Sequence, residues 1–429
     1  MIRCRSILAT TVLTVSVVFS LFPEPRASAG SKGLFTESKS AVQFRTQRNS
    51  SSLRSRHVKI DFDLLGDARG FRRAPHKGRQ SLELHLFPDT SFTAVLDKIE
   101  PHSKGYSWIG QVQGSQQSVV ILTVSDDVMA GNVTLSGTSY QIRHAEAGVH
   151  AIREVAPKAA RPEGEPIRIG PGQAVPSLGA PSIAPDEGGK LDSSPDPNPF
   201  RPDSNISFTV SPDPSSLPQS GSGEFFDLLV VYTPSACSAA GGTAGIESLI
   251  QLGVTETNLA YQNSGIISRI RLVHTAEVNY TETGALETDL AYAQLGFVDN
   301  THALRDTCGA DLVQLVTDSA AGFCGKAYVM SGNNANFHWW SYSVVEQSCI
   351  SPNYTFAHEM AHNMGCNHAP GDPQEVGAYP YSLGYKDPSN QFRTLMAYYT
   401  GCNCTRVIQA DFQSNTAAIR SLECSFSSS

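Results

Sequence analysis

The sequence predicts two parts of different fold class: an antiparallel, β-rich part at residues 30–155 and an α/β part at residues 224–429. From residue 57 to 146, short runs of alternating apolar and polar residues are broken by Gly, Pro, Ser or Asp, a pattern typical of antiparallel strands. After residue 224, strand-like and helical patterns alternate, which indicates a mostly parallel, twisted sheet with crossover helices. The eight cysteines that follow residue 29 all lie beyond residue 230, so the two parts also differ in their potential for crosslinks.

The α/β part is predicted element by element from its hydrophobic pattern. FDLLVVYT, at 226–233, is a nearly continuous apolar run suited to a buried central strand. An amphipathic helix follows and ends near Gly265, and the segment 286–305 is also predicted to be helical. The other predicted strands are RIRLVHTAEVNY, DLVQLVTDS, KAYVMS and SYSVVEQ.

The ends of the β-rich part have their own composition. Residues 1–29 carry two arginines, an apolar run and a small-residue site, the layout of a secretory signal peptide; an uncleaved membrane anchor is the alternative. Residues 156–223 are dense in Pro, Gly and Ser, which predicts a linker. We therefore expect a secreted, extracellular protein that is free of the membrane once the signal is removed, and monomeric.

The net charge restricts the possible binding partners, and the cysteine content predicts crosslinks. Residues 224–429 hold 8 Lys and Arg against 19 Asp and Glu, a net charge of −11 within a chain whose total is −8. Nucleic acids and anionic membranes require basic surfaces, so neither is an expected partner. An even number of cysteines in an exported chain predicts disulfide bonds, without fixing their pairing.

The segment HEMAHNMGCNH, which begins at His358, carries a metal-binding pattern. His358 and His362 are four residues apart, so on a helix both imidazoles project from one face. Gly365 suits the end of that helix, after which His368 can complete a site of three histidines. Three protein ligands leave the fourth position of a tetrahedral zinc ion for water or substrate.

Glu359 decides between a catalytic and a purely structural zinc site. A carboxylate beside the first histidine can take a proton from water whose pKa the metal lowers, and a structural site needs no such base. The sequence therefore predicts one catalytic Zn²⁺ ion with Glu359 as general base. A noncatalytic secreted zinc-containing binding protein is the alternative, and an amidase or peptidase for small peptides is a third possibility. Calcium is a second candidate metal, but no local Asp-rich loop supports it.

The joint pattern HExxHxxGxxH resembles that of the metzincin metallopeptidases. LMAYY resembles their Met-turn, which places Met396 beneath the metal. AHEMAHNMGCNH, FDLLVVYTPSA and CGADLVQLV resemble reprolysin-type enzymes of the peptidyl-Asp branch. The resemblance implies a zinc endopeptidase made as a zymogen, with polypeptide substrates, a preference for Asp at P1′ and a β-rich propeptide at 30–155. Ala369 departs from the reprolysin pattern, in which Asp is usual.

Three further residues have two interpretations each. Tyr398 either stabilises the oxyanion or packs within the Met-turn. Arg406 either binds a substrate carboxylate in the S1′ pocket or forms a surface or structural ion pair. Cys366 either binds zinc or, as export favours, forms a disulfide.

Two further features of the sequence concern how substrate binds and how the propeptide inhibits the enzyme. GFCGKAYVMSG resembles the metzincin edge strand that pairs with extended substrates, although a buried strand is the alternative. Residues 30–222 contain no cysteine, so within this chain a propeptide thiolate cannot cap the metal. Inhibition by the propeptide must use another group.

Overall fold

The computed structural model describes residues 33–38, 52–65, 81–115, 118–135, 138–155, 161–171, 225–319, 322–332, 334, 336–373, 376–380, 382–399 and 404–407. The predicted signal peptide, residues 1–29, lies outside these ranges. No helix among the described residues has the length and hydropathy needed to cross a lipid bilayer.

The N-terminal part is a nine-stranded antiparallel sheet with the strand order β1-β2-β9-β8-β7-β6-β5-β4-β3. Most of its strands are joined by tight turns, as their alternating pattern predicts. The strands are β1 Phe35–Glu37, β2 Ser52–Ile60, β3 Ser81–Phe87, β4 Thr90–His102, β5 Gly105–Val112, β6 Val119–Ser125, β7 Val128–Leu135, β8 Thr138–Glu146 and β9 Val149–Val155.

One face of this sheet holds a hydrophobic core around Trp108, which is fully buried. The alternating run HVKIDFDLL, at 57–65, predicts one strand, but the strand ends at Ile60 and residues Phe62–Leu65 form a 3-10 helix. Strand β9 was not predicted from the sequence. It lies between β2 and β8 and so joins the first two strands to the rest of the sheet.

The C-terminal part is built on a six-stranded sheet with the order β10-β14-β15-β13-β11-β12. β14 is antiparallel to β15, while the other neighbours are parallel, so the prediction of a mostly parallel sheet is confirmed. A separate pair, β16 and β17, is parallel. The strands are β10 Ile167–Ile169, β11 Phe225–Tyr232, β12 Arg269–Glu277, β13 Leu312–Thr317, β14 Gly325–Met330, β15 Tyr342–Glu346, β16 Phe392–Arg393 and β17 Thr405–Arg406.

Local signals account for the helix ends. The hydroxyl of Thr233 caps the first helix by accepting a hydrogen bond from the Ala236 amide, and Pro234 stands at the first helical position. The predicted helix 286–305 is two helices, because Gly296 adopts a left-handed conformation that ends the first of them. The helices are α1 Pro234–Ala239, α2 Thr243–Asn263, α3 Leu286–Leu295, α4 Thr301–Cys308 and α5 Thr355–Asn363, with 3-10 turns at Phe337–Trp340 and Gln347–Cys349.

Part of the predicted linker is ordered against the C-terminal sheet. Residues 161–171, within the predicted linker 156–223, contain β10, which pairs with β14. The run Ile-Arg-Ile is too short to show a period in a Pro- and Gly-rich stretch, which explains why the pattern did not reveal a strand. The rest of that linker lies outside the described residues.

The two parts share a packed boundary at α2. Ile109, Ile121 and Ala130 of the N-terminal sheet belong to the same core cluster as the apolar residues of α2. Polar contacts lie within this boundary: the hydroxyls of Ser107 and Thr255 are 2.8 Å apart. The N-terminal sheet therefore contributes to the environment of the C-terminal part.

Among the described cysteines, some are paired and some are free. Cys324 and Cys349 form a disulfide, and Cys366 is also disulfide-bonded, which confirms the predicted crosslink at that residue. Cys237 and Cys308 are free thiols. The sequence left the pairing open, because a count of cysteines carries no information on the distances that decide it.

The buried His150 of β9 makes the N-terminal sheet sensitive to acid. Its side chain is fully buried, and its Nε2 atom accepts a hydrogen bond from the Met129 amide, which requires a neutral ring. Burial, with a smaller contribution from His144, lowers the pKa of His150 to about 3. The unfolded chain binds a proton near the ordinary pKa of 6.5, so below that pH protonation favours unfolding.

We expect the free energy of unfolding to fall by about 1.4 kcal/mol per pH unit from this residue as the pH drops below about 6. His150→Gln keeps an acceptor for the Met129 amide without titrating and should remove that share of the slope. The measurement is urea unfolding followed by circular dichroism between pH 7 and 5. His338→Gln, at an exposed histidine, serves as the control; an equal slope in wild type and His150→Gln would refute the assignment.

Candidate metal centre and active site

The centre of the site is built on α5 and the turn that follows it. His358 and His362 lie one helical turn apart and are fully buried, as is Glu359. Gly365 has a φ of 88°, which a residue with a side chain adopts only at a cost, and it reverses the chain after the helix. His368 follows, fully buried, and its ring centroid lies 4.9 Å from that of His362.

Each imidazole is oriented by a backbone carbonyl. The Nδ1 atoms of His358, His362 and His368 each lie 2.9 Å from a carbonyl oxygen, those of Leu395, Cys366 and Pro373 respectively. A carbonyl accepts a hydrogen, so Nδ1 carries the proton and Nε2 keeps its lone pair.

The three histidines fit a metal ion. Their candidate ligand atoms lie within 4.8 Å of one another, and the Nε2 atoms of His358 and His362 are 3.1 Å apart. The Nε2 atom of His368 is buried and has no hydrogen-bond partner among the described residues. Burial also lowers the pKa values of His358 and His362 well below the usual range, which favours the neutral form that binds a metal.

Glu359 points its carboxylate into a confined space beside the triad. Both carboxylate oxygens are buried without a hydrogen-bond partner in the described part of the chain, and burial raises the pKa of this carboxyl well above its usual value. A Cβ atom on Gly325 would lie 2.6 Å from Oε1 of Glu359, so a glycine is required where β14 passes the helix. The carboxylate is thus held in place by packing rather than by other polar groups.

Met396 of the predicted Met-turn packs against the helix that carries His358 and His362. It is fully buried and packs with Ala361 of α5 and with Cys366. The preceding residue, Leu395, supplies the carbonyl that orients His358. The turn therefore supports the site by packing and by one hydrogen bond.

Tyr398 lies beside His368. The two ring centroids are 4.0 Å apart, and the phenol oxygen is 3.3 Å from the carbonyl oxygens of Glu163 and Gly164. A phenol that donates to a peptide carbonyl beside the triad is placed to do the same for a substrate carbonyl. This geometry is compatible with both interpretations of Tyr398, because the residue is also buried in its turn.

Arg406 forms an ion pair that is almost fully buried. Its guanidinium contacts the carboxylate of Glu163, with side-chain exposures of 8% and 5%, and donates to the Asn353 carbonyl at 2.6 Å. A surface ion pair does not describe this arrangement, but the alternative of a structural ion pair is compatible with it. Arg406 lies where it can bind a carboxylate beside α5, and the chain itself supplies that carboxylate.

Two residues of the site were missed in the sequence. Asp372 is buried, and its carboxylate accepts a hydrogen bond from the Tyr398 amide at 3.0 Å, which ties the loop after His368 to the Met-turn. Ala369 occupies the position where the reprolysin pattern has Asp, so an acidic residue three positions later was the available signal. Arg393, also buried, had no local signal.

This centre, placed on a helix beneath a mostly parallel sheet, defines a metallopeptidase domain. Residues 223–408 match the Reprolysin_5 model of metallo-peptidase family M12. A peptidyl-Asp metalloendopeptidase of Pseudomonas fragi is 30% identical over 152 residues, 35% of this chain and 75% of the relative. The chain belongs to metallo-peptidase family M12.

Other relatives match over a smaller share of their length. Peptidyl-Asp metalloendopeptidases of Stenotrophomonas maltophilia and Xanthomonas campestris are 34% and 32% identical, and in each case the match covers 44% of this chain and 44% of the relative. The matched region thus spans less than half the length of these relatives. Metalloproteinase-II from Bacteroides fragilis aligns with 83% of this chain and 94% of its own at 12% identity and a TM-score of 0.42. A likeness of that size does not establish a common fold.

Proposed function

We propose that this protein is a secreted zinc-dependent endopeptidase, made as a zymogen, in which Glu359 is the general base. The observation that supports it most is the convergence of three buried Nε2 lone pairs beside a carboxylate that has no polar partner among the described residues. His358, His362 and His368 would hold the ion, which when bound would lower the pKa of water and polarise the scissile carbonyl.

Glu359 supplies the proton transfer in this proposal. Its two free oxygens can accept a hydrogen bond from the attacking water, take its proton as the new carbon–oxygen bond forms, and deliver it to the leaving amine. Packing against Gly325 limits the positions of the carboxylate, so it is oriented before substrate arrives.

Tyr398 is proposed to donate a hydrogen bond to the carbonyl oxygen of the substrate as negative charge develops. Its contacts with the Glu163 and Gly164 carbonyls support this role. We expect Tyr398→Phe to lower kcat by roughly 10- to 100-fold with a smaller change in KM, because the hydrogen bond strengthens in the transition state. An unchanged kcat would leave only the packing role.

The second candidate, a noncatalytic zinc-containing binding protein, is less well supported. A structural zinc site normally uses four protein ligands, whereas only the three histidines form a candidate cluster among the described residues. A buried carboxylate without partners also costs free energy, which a purely structural site has no reason to retain.

A preference for Asp at P1′ is proposed from Arg406 and from the names of the relatives described above, which are peptidyl-Asp metalloendopeptidases. A buried guanidinium that already binds one carboxylate beside the triad can bind that of a substrate. The cut should then fall before an aspartate, with Arg406 as the residue that recognises it.

The test is to digest a denatured protein with material purified from the medium of an expressing host and to sequence the new ends. We expect Asp to begin the new N-termini, and Arg406→Ala to lower the preference for Asp over Asn by about 30-fold or more, since a buried ion pair is lost. Arg305→Ala, at an arginine of α4, is the matched control. Exopeptidase ends, or an Asp preference retained in Arg406→Ala, would refute this part of the proposal.

The remaining functional expectations belong to the same proposal. The nine-stranded sheet would be the propeptide, and residues 1–29 the signal that directs export. Polypeptides are the proposed substrates of a monomeric protein, with no role for nucleic acid.

A further inference from the structure

A second buried arginine lies beside Arg406. Arg393 of β16 is paired in register with Arg406 of β17, and it is only 7% exposed. Its Nε and Nη1 atoms have no hydrogen-bond partner among the described residues. Burial, followed by repulsion from Arg406, lowers the pKa of Arg393 to about 9. Burying a guanidinium whose donors lack partners costs free energy, and a bound carboxylate would offset that cost.

Glu163 provides a carboxylate to this pair of arginines. Its side chain is 5% exposed, contacts Arg406, and accepts a hydrogen bond from the hydroxyl of Thr355, the first residue of α5, at 3.3 Å. Although burial by itself would raise the pKa of Glu163, attraction to Arg406 and, less strongly, to Arg393 holds it below its usual value. The carboxylate is therefore charged and attracted by both arginines.

The backbone around Glu163 covers the outer edge of β14. The Cys324 amide donates to the Pro162 carbonyl at 2.8 Å, and the Gly164 amide donates to the Gly325 carbonyl at 2.8 Å. Farther along, β10 pairs with residues 328–330. The groups with which an extended polypeptide could pair on this strand are thus already used by the chain itself.

The same segment lies close to the catalytic groups. The carbonyl of Glu163 is 3.3 Å from the phenol oxygen of Tyr398. The acidic side chain of Glu163, the backbone around it and β14 therefore meet at one place beside the triad. A bound peptide with an acidic side chain would make the same kinds of contact.

We propose that Arg393 and Arg406 form a two-arginine pocket for an acidic side chain of a polypeptide, and that Glu163 is the intramolecular ligand that fills this pocket in the full-length chain. The proposal rests on the proposed function for the identity of its substrate. An acidic substrate side chain must displace Glu163 to enter, and removal of residues 161–171 opens the pocket and the edge of β14 together.

The test measures binding without turnover, in the full chain carrying Glu359→Gln. A fluorescent peptide with one central Asp, and its twin with Asn, are titrated by fluorescence anisotropy. We expect Glu163→Gln to raise the affinity for the Asp peptide by about 10-fold or more, because the buried competitor loses its charge, with little change for the Asn peptide. Glu165→Gln, at an exposed carboxylate of the same segment, should change neither affinity.

Two further variants examine the pocket. Arg393→Ala, added to Glu163→Gln, should remove most of the preference for Asp over Asn. Because Glu163→Gln leaves two buried arginines without a carboxylate, it can also destabilise the fold. Glu163→Asp keeps the charge but withdraws the carboxylate by one methylene, and it should give a smaller gain in affinity.

The proposal is overturned if neither Glu163 variant binds the Asp peptide more tightly than the parent, or if the Asn peptide gains equally. It is also overturned if Arg393→Ala leaves the preference for Asp intact. A different result would contradict the proposed endopeptidase function and leave the pocket intact: a chain that retains Glu359 and binds Asp peptides but does not cut them. Cleavage of peptides by a chain in which the Glu163 variants do not change the affinity for the Asp peptide contradicts the pocket proposal and leaves the endopeptidase function intact.

Discussion

Glu359→Gln should abolish peptide hydrolysis while leaving the metal in place. Loss of a general base lowers kcat by about 10²- to 10⁴-fold. The replacement is nearly isosteric, and both oxygens of Glu359 lack hydrogen-bond partners among the described residues, so no intramolecular contact is broken there. Steady-state kinetics on a peptide substrate, with zinc content measured on the same sample, checks both halves of this result.

The matched control is Glu277→Gln, at an exposed carboxylate that ends β12, which should behave as wild type. If Glu359→Gln hydrolyses the substrate within about twofold of wild type, another group must act as the base. Loss of zinc together with activity would instead assign Glu359 a role in the structure of the site.

His362→Ala should remove both the metal and the activity. Two remaining imidazoles bind zinc much more weakly than three, so we expect less than about 0.1 zinc per chain after dialysis against a weak chelator. Because the charge of the metal is required for water activation, activity should fall at least as far as in Glu359→Gln. Elemental analysis and kinetics measure the two losses.

Wild-type protein treated with a strong chelator provides the comparison. It should lose activity and regain it on addition of zinc, whereas His362→Ala should not recover. His338→Ala, at an exposed histidine, controls for the loss of an imidazole elsewhere. Full zinc occupancy in His362→Ala would mean that the ion is held by a different set of ligands.

The parts that local patterns encode were predictable. Two histidines four residues apart lie on one face of any helix, and Gly365 supplies the reversal that brings in His368. The alternation of residues likewise predicted most strands of the N-terminal sheet, since a strand with one buried face shows a period of two. The boundaries that failed, such as the break at Gly296, depend on a single residue within a longer helical pattern.

The cluster of Glu163, Arg393 and Arg406 could not be predicted because its members are distant in sequence. Glu163 and Arg406 are separated by 243 residues, and no local period links them. Glu163 also lies in a stretch whose composition resembles a linker, so burial was not expected there. The position of Arg393 beside Arg406 follows from the pairing of β16 with β17, which the sequence did not predict.

X-ray absorption spectroscopy of the purified wild-type chain at the zinc edge, combined with elemental analysis, tests the three-histidine centre directly. The proposed site predicts about one zinc per chain, surrounded by three imidazole nitrogens at about 2.0–2.1 Å and one oxygen ligand. A preparation without stoichiometric zinc, or a spectrum dominated by sulfur at about 2.3 Å, would contradict it.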